Sequence, residues 1–147
     1  MIYNNKFNNV NTIKNSCIAL FCINNSQIKI YLVKLNSNLW DIPGGNINRS
    51  KENSFNAALR EFKEETGFDL KKLKKKMYFS SIKWGNPPHT RIYFNVSTCY
   101  NKLNFIFKPN YETKDGKWFD VKNLPKLRHK RSILSLINFI EEIYINI

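Results

Sequence analysis

The chain has 147 residues, and 24 Lys and Arg against 11 Asp and Glu give it a formal net charge of +13. That length suits a single domain covering residues 1–147 and leaves little room for two. Hydrophobic residues make up 42% and aromatic residues 14%, enough for a buried core, so the composition excludes a disordered polycation and a disulfide-stapled miniprotein.

The first part of the chain predicts two strands joined by a hairpin. Residues 1–15 are polar and rich in Asn, which is typical of a loose lead-in. The apolar run 16–23 and the partly alternating segment 28–35 each predict a strand. Residues 24–27 between them suit a turn. A short apolar piece at 40–45 then runs into a Pro-Gly-Gly turn.

Residues 53–66 predict an amphipathic helix. Asn53 or Ser54 can cap its start, and Gly67 suits its C-terminal cap. Its apolar residues follow the i, i+3, i+4, i+7 spacing of one helix face. They are Phe55, Ala58, Leu59 and Phe62.

The rest of the chain predicts three strands and a second helix. The lysine run at 71–76 is typical of a solvated surface turn, in preference to a phosphate-binding patch. Strands are expected at 77–84, 91–99 and 117–121, with a loop at 85–88. A helix at about 130–145 would place Ile133, Ile137, Ile140 and Tyr144 on one face. Because short hairpin links alternate with a helical crossover, we expect an α/β sandwich with a mixed sheet.

Cysteine usage and hydropathy indicate an intracellular protein. Cys17, Cys22 and Cys99 lack the spacing of a metal site, and we expect buried thiols in a reducing compartment. No apolar stretch is long enough to cross a membrane, and the N-terminus lacks the apolar core of a signal peptide. We therefore expect a cytoplasmic protein with no membrane partner. The oligomeric state stays open, a homodimer included.

Four of the seven glutamates lie between positions 52 and 65, in a chain that otherwise avoids acids. On a helix, Glu61 is three residues from Glu64 and four from Glu65, so the three carboxylates converge on one side, roughly opposite the core. Like charges at that spacing cost about 0.2–0.5 kcal/mol per pair, whereas Mg²⁺ would make their proximity favourable. Arg60 could hold Glu64 from four residues away. The alternative is a solvated acidic face.

The turn before this helix offers a further ligand. Glycine at 44 and 45 permits backbone geometry that exposes a carbonyl or lets the chain approach a ligand closely. A backbone carbonyl there could complete a metal shell.

Residues 45–68 closely resemble the Nudix box. That pattern runs Gly, five residues, Glu, seven residues, then Arg-Glu-apolar-any-Glu-Glu-any-Gly-apolar. Glu52 is followed by seven residues and then by REFKEETGF at 60–68, so every specified position from Glu52 onward agrees. Six residues separate Gly45 from Glu52, and Asn46 takes the strict glycine position. This departure indicates a one-residue insertion in the loop.

The flanks of the box are similar to the same family. WDIPGG at 40–45 resembles its usual entry into the loop. Trp118-Phe119 and Leu124-Pro125 resemble its usual C-terminal strand and exit. The resemblance covers about residues 16–140. It implies the Nudix fold, an α/β/α sandwich with a mixed β-sheet.

The family hydrolyses a pyrophosphate linkage in nucleoside diphosphates joined to another group, with Mg²⁺ or Mn²⁺ as cofactor. By position, the resemblance makes Glu61, Glu64 and Glu65 the metal-binding catalytic acids, one of which could orient or deprotonate water. The Gly45 carbonyl would be a further metal ligand.

The resemblance also implies supporting residues. Glu52 and Arg60 would orient the helix and the loop. Members often add a carboxylate from a later loop, where Glu112 and Asp115 are the available acids. We prefer Glu112, with an exposed loop residue as the alternative.

Few residues point to the substrate. Trp84 could stack on a base or lie at the edge of the core. His89 could contact phosphate or ribose, or be an ordinary surface residue. Arg91 and Arg128 stand out because Arg is rare in this chain. Either could clamp a phosphate or form a structural ion pair.

Three functions remain open at this point. The first is hydrolysis of a small nucleotide or nucleotide sugar, such as ADP-ribose, a dinucleoside polyphosphate or a nucleoside triphosphate. The second is removal of a cap from the 5′ end of RNA, which the basic surface favours and the compact length disfavours. The third is a non-catalytic nucleotide-binding module, which the intact glutamates disfavour.

The net charge does not decide between these functions. It favours polyanionic partners such as RNA. However, 19 of the 24 basic residues are Lys, and Asn occurs 22 times and Ile 17 times, which is typical of an AT-rich genome. Arg would be the better residue for bidentate phosphate recognition.

Overall fold

A mixed β-sheet between two helices forms the centre of the protein. We describe it from a computed structural model, which covers residues 13–24, 26–72, 77–85, 90–98 and 106–144. The elements follow in chain order. They are β1 (Ile13–Asn24), β2 (Gln27–Leu35), β3 (Trp40–Asp41), β4 (Gly44–Asn46), α1 (Ser54–Thr66), a 3₁₀ turn (Leu70–Lys72), β5 (Met77–Trp84), β6 (Thr90–Thr98), β7 (Thr113–Asp120) and α2 (Lys130–Tyr144).

The sheet has the strand order β3-β2-β1-β6-β5, with β4 added beside β1 and β7 beside β2. β1 runs antiparallel to β2 and parallel to β6, and β5 runs antiparallel to β6. The sheet is therefore mixed, as predicted.

The two helices cover opposite faces of this sheet. Alternate residues of β1 point to opposite sides, so Ile18 and Leu20 pack in one core cluster with Phe62 of α1. Ala19 and Phe21 pack in a second cluster with Ile133 and its neighbours on α2. This arrangement confirms the α/β/α sandwich.

One edge of β1 changes partner along its length, and this positions the candidate site. Residues 15–17 pair with β4, whereas residues 21–24 pair with β2. β2 pairs further along with β3 and β7. The separation of β2 and β4 leaves an opening in the sheet beside Asp41 and Ile42.

Most predicted elements are confirmed, and their bounds differ at a few points. Residues 13–15 belong to β1, so the predicted lead-in is wrong there, and residues 1–12 lie outside the described part. β7 begins at Thr113, earlier than predicted, because its first residues pair with the end of β2. Tyr144 on α2 is partly exposed, unlike the three buried isoleucines of its face.

Cys17 and Cys22 are buried free thiols, as expected. Cys99, and residues 73–76 of the lysine run, lie outside the described part. None of the helices in the described residues has the length and apolar character needed to cross a membrane.

Candidate active site

Helix α1 is capped at both ends by the residues that the sequence indicates. The Asn53 side chain accepts a hydrogen bond from the Asn56 N–H at 2.8 Å. Gly67 ends the helix at a φ of 81°, and its N–H donates to the Lys63 carbonyl. A left-handed conformation there favours glycine. These caps set where the helix begins and ends, and the face that it buries sets the direction of its glutamates.

Glu65 lies inside the protein, with only 4% of its surface exposed. It follows Ala58 and Phe62 at i, i+4, i+7 and so belongs to the apolar stripe of α1. The expectation that all three glutamates point away from the core is therefore wrong for this residue. The Gly44 N–H donates to Glu65 Oε1 at 2.7 Å, and the Thr113 hydroxyl donates to the Glu65 carbonyl at 2.8 Å.

Burial controls the ionisation of Glu65. Its pKa is raised from 4.5 to about 8, chiefly by removal from water; the hydrogen bond from Gly44 opposes this shift, and the nearby carboxylates of Glu61 and Glu112 add to it. Near neutral pH this carboxyl therefore holds a proton when no cation lies beside it.

Glu61 lies against Gly45, with only 12% of its side chain exposed. A Cβ on Gly45 would lie 2.5 Å from the Glu61 carboxyl carbon. Burial, followed by the charge of Glu64, raises the Glu61 pKa. The two glycines lie in strand β4 instead of the predicted turn. Gly45 therefore leaves room for the Glu61 carboxylate beside β4, whereas a Cβ on Gly44 would meet Cys17 and Ser16 of β1. Close packing between elements is a reason for glycine that the sequence analysis did not give.

Arg60 contacts Glu64, as expected, and also contacts Glu52 and Glu61. Its Nη2 donates to Glu52 Oε1 at 2.7 Å and to the Asn46 carbonyl at 3.0 Å. Its Nη1 donates to Glu61 and Glu64 oxygens, both at 3.1 Å. The hydrogen bonds from Arg60 are the main cause of the lowered Glu52 pKa. Arg60 thus ties the loop to the helix.

The donor set fits a divalent cation in part. No three Asp, Glu, His or Cys side chains form a ready-made metal cage in the described part of the chain. However, Arg60 Nη1 occupies a position between Glu61 and Glu64, where positive charge is already favoured. The close approach of Gly45 brings a backbone segment to the same carboxylates. Mg²⁺ commonly binds through one or two carboxylates plus substrate phosphates, without a complete protein cage.

A cleft of about 220 Å³ opens beside Glu65 and the glycines of β4. It brings together five residues singled out from the sequence, which are Gly45, Glu65, Glu112, Arg91 and Arg128. Glu112 is held there by its N–H, which donates to the Asn110 side chain at 2.8 Å. The cleft therefore brings acidic side chains and guanidinium groups together.

Asp41 and His129 also line this cleft, and the sequence analysis missed both. Buried Asp41 accepts hydrogen bonds from the Ile42 N–H at 2.8 Å and from His129 Nδ1 at 3.1 Å. Arg91 Nη2 lies 3.6 Å from the same carboxylate. His129 has a φ of 57°, which is uncommon for a residue other than glycine. The rarity of Asp and His could have drawn attention to these two residues, since the chain has few Asp and only two His.

Other predicted site residues are not among the described residues that line this cleft. Glu64 is half-exposed, at 51%. Trp84 is 37% exposed at the end of β5 and lines a neighbouring cavity. Asp115 accepts a hydrogen bond from the Gly116 N–H and is not among the lining residues of the cleft. His89 lies outside the described residues.

Known proteins resemble this chain in sequence and in fold. The model of the NUDIX domain matches residues 15–137. The "NAD-capped RNA hydrolase NudC" of Vibrio atlanticus (strain LGP32) is 39% identical over 67 residues, which are 45% of this chain and 22% of that protein. The "mRNA-decapping enzyme subunit 2" of Saccharomyces cerevisiae (strain YJM789) is 32% identical over 114 residues, which are 75% of this chain and 11% of that protein. The chain thus spans a small part of the curated relatives it matches.

A solved structure supports the fold. The Caenorhabditis elegans Ap4A hydrolase, crystallised as a binary complex, superposes with a TM-score of 0.73 at 17% identity. The match covers 91% of this chain and 100% of that one.

Proposed function

Because the chain belongs to the NUDIX domain family, we propose that it hydrolyses a pyrophosphate linkage in a nucleoside diphosphate joined to another group, with Mg²⁺ or Mn²⁺ as cofactor. The observation that carries this proposal is the position of Glu61 and Glu65 against β4, with Glu65 and Gly45 lining a cleft that Arg91 and Arg128 also line.

Glu61, Glu64 and Glu65 would hold the cation, with the Gly45 carbonyl as a further ligand. When bound, the cation would neutralise the anionic linkage and stabilise the charge that develops on its oxygens during displacement. Without a cation, Arg60 neutralises Glu61 and Glu64. With a cation bound, its hydrogen bonds to Glu52 and the Asn46 carbonyl would still hold the loop in place.

The rest of the cleft supplies substrate contacts. Arg128 and Arg91 provide positive charge for phosphate oxygens. Glu112 lines the same cleft as Glu65 and would orient or deprotonate the attacking water. Alternatively, one of the glutamates of α1 would be the base that deprotonates this water.

The experiment is a turnover screen with Mg²⁺ over ADP-ribose, a dinucleoside polyphosphate, a nucleoside triphosphate and capped RNA. Glu64→Gln/Glu65→Gln is the test variant, and Glu141→Gln/Glu142→Gln on α2 is its matched control. We expect the test variant to lose more than ~100-fold in kcat/KM, because loss of one preorganised electrostatic contact already costs about 10²–10³. Equal turnover by both variants would contradict the assignment of Glu64 and Glu65 as ligands of the cation.

A second candidate is removal of a 5′ cap from RNA. It is supported by the likeness to the yeast decapping subunit over 75% of this chain and by the net charge of +13. Affinity for capped RNA should then fall steeply with salt, because bound phosphates release counterions. Efficient cleavage of small nucleotides without cleavage of capped RNA would eliminate this candidate.

A further inference from the structure

Residues 106–112, which precede β7, close the C-terminal end of α1. The last four carbonyl groups of a helix have no partner within it, and at the end of α1 the first of them, that of Lys63, accepts from the Gly67 N–H. The next three carbonyls accept from this segment and from the first residue of β7. The contacts are Asn110 Nδ2 to Glu64 at 2.6 Å, the Thr113 hydroxyl to Glu65 at 2.8 Å and the Lys108 N–H to Thr66 at 3.0 Å. The segment that carries Glu112 is therefore attached to the helix that carries the candidate metal ligands.

The side chain of Asn110 is at the centre of this attachment. Its Oδ1 accepts from the backbone N–H groups of Glu112 and Thr113, both at 2.8 Å, while its Nδ2 donates to the Glu64 carbonyl. The oxygen and the nitrogen of the amide are therefore both used, in the orientation that matches donors to acceptors. One side chain thus joins the backbone of Glu112 to the backbone of Glu64.

Glu112 depends on such support because it is exposed. It lines the cleft together with Glu65, and its charge contributes to the raised pKa of both Glu61 and Glu65. A group that orients or deprotonates water must lie within hydrogen-bond reach of it, and a displacement of about 1 Å can cost about 100-fold in rate. An exposed carboxylate keeps such a position only if its backbone is fixed.

We propose that Asn110 is a positioning residue, which fixes Glu112 relative to Glu64 and Glu65 on α1. This inference rests on the proposed hydrolysis, with Glu112 as the residue that acts on the attacking water. Asn110 is not among the lining residues of the cleft, so it acts through Glu112. Because the Lys108 N–H and the Thr113 hydroxyl also attach to α1, loss of the Asn110 side chain should leave the fold intact and loosen Glu112.

A double-mutant cycle separates this role from a general structural one. On the substrate of the screen that the wild type cleaves most rapidly, Asn110→Ala should lower kcat about 10–100-fold, with KM little changed. Asn110→Ala/Glu112→Gln should be no slower than Glu112→Gln alone, since the two residues act as a unit. Losses that multiply in the double variant, an unchanged kcat in Asn110→Ala or full activity of Glu112→Gln would each overturn the proposal.

Asn110→Asp separates the two ends of the amide. The aspartate keeps an acceptor for the N–H groups of Glu112 and Thr113 but cannot donate to the Glu64 carbonyl. We therefore expect kcat to fall about as far as in Asn110→Ala. Asn123→Asp adds the same charge at an exposed position outside the cleft and should keep the wild-type kcat. A wild-type kcat in Asn110→Asp, or an equal loss in Asn123→Asp, would contradict the role of the attachment to α1.

Amide hydrogen exchange tests the same geometry without turnover. The N–H groups of Glu112 and Thr113 should be protected in the wild type and in Asn110→Asp, and should lose most of that protection in Asn110→Ala. Equal protection in Asn110→Ala would overturn the positioning role. If the wild type cleaves no substrate of the screen, the proposed hydrolysis fails, and the exchange rates still decide whether Asn110 holds the backbone of Glu112.

Discussion

Replacing Glu65 by Gln should change the pH dependence of stability in a defined direction. The folded protein holds a proton on Glu65 more tightly than the unfolded chain does, because burial raises the pKa from 4.5 to about 8. This stabilisation is fully present below the unfolded pKa and is lost as the pH rises through the folded pKa. As the pH rises from about 5.5 to about 8.5, the free energy of unfolding of the metal-free wild type should therefore fall by about 3 kcal/mol relative to that of Glu65→Gln.

The assay is urea denaturation of both proteins in chelator, at several pH values in that range. Glutamine keeps an oxygen for the hydrogen bond from Gly44 but does not titrate, so the difference between the two curves isolates Glu65. At high pH, Mg²⁺ at 100 times its Kd should raise the free energy of unfolding of the wild type by about 2.7 kcal/mol. It should raise that of the variant less. Parallel pH curves for the two proteins would refute the burial of an ionisable Glu65.

Three further substitutions test other parts of the site. Gly45→Ala should lower turnover with little loss of stability, because its Cβ would lie 2.5 Å from the Glu61 carboxyl carbon and would displace the end of that flexible side chain; full activity would contradict the close approach. Arg60→Lys should lower kcat about 10–100-fold with the fold retained, since an ammonium cannot reproduce the fork to Glu52; an unchanged kcat would contradict its positioning role. Asp41→Asn should lower the free energy of unfolding by about 3–5 kcal/mol, because the buried guanidinium of β6 loses its counter-ion; a loss below ~1 kcal/mol in denaturation would argue against the pair.

Local signals predicted the helices and the long strands. Asn53 and Gly67 bound α1 as expected, because capping depends on residues next to each other in the chain. The strands β3 and β4 could not be predicted, since two or three residues are too few for a periodic pattern. They form only because β2 and β1 offer them backbone partners.

The candidate site was predicted less completely, for two physical reasons. Glu65 has the helical spacing of the apolar stripe, but a charged residue is seldom fully buried, so the sequence alone favours an exposed position. Its burial depends on β4, whose Gly44 N–H donates to the carboxylate. Asp41 and His129 are 88 residues apart in sequence. They meet because the Arg128 N–H donates to the Trp40 carbonyl and the Trp40 N–H donates to the Lys126 carbonyl, which joins β3 to the segment before α2. No local pattern carries that contact.

Hydrolysis in ¹⁸O-labelled water, with the most rapidly cleaved diphosphate-linked nucleotide as substrate, tests the central claim most directly. With Mg²⁺, we expect one phosphate-containing product to carry a single ¹⁸O atom by mass spectrometry, with wild type and Glu141→Gln/Glu142→Gln alike. Chelator, or Glu64→Gln/Glu65→Gln, should remove the labelled product. Labelled product formed equally by Glu64→Gln/Glu65→Gln, or no labelled product from the wild type with Mg²⁺, would contradict the assignment of these acids to cleavage of a pyrophosphate linkage.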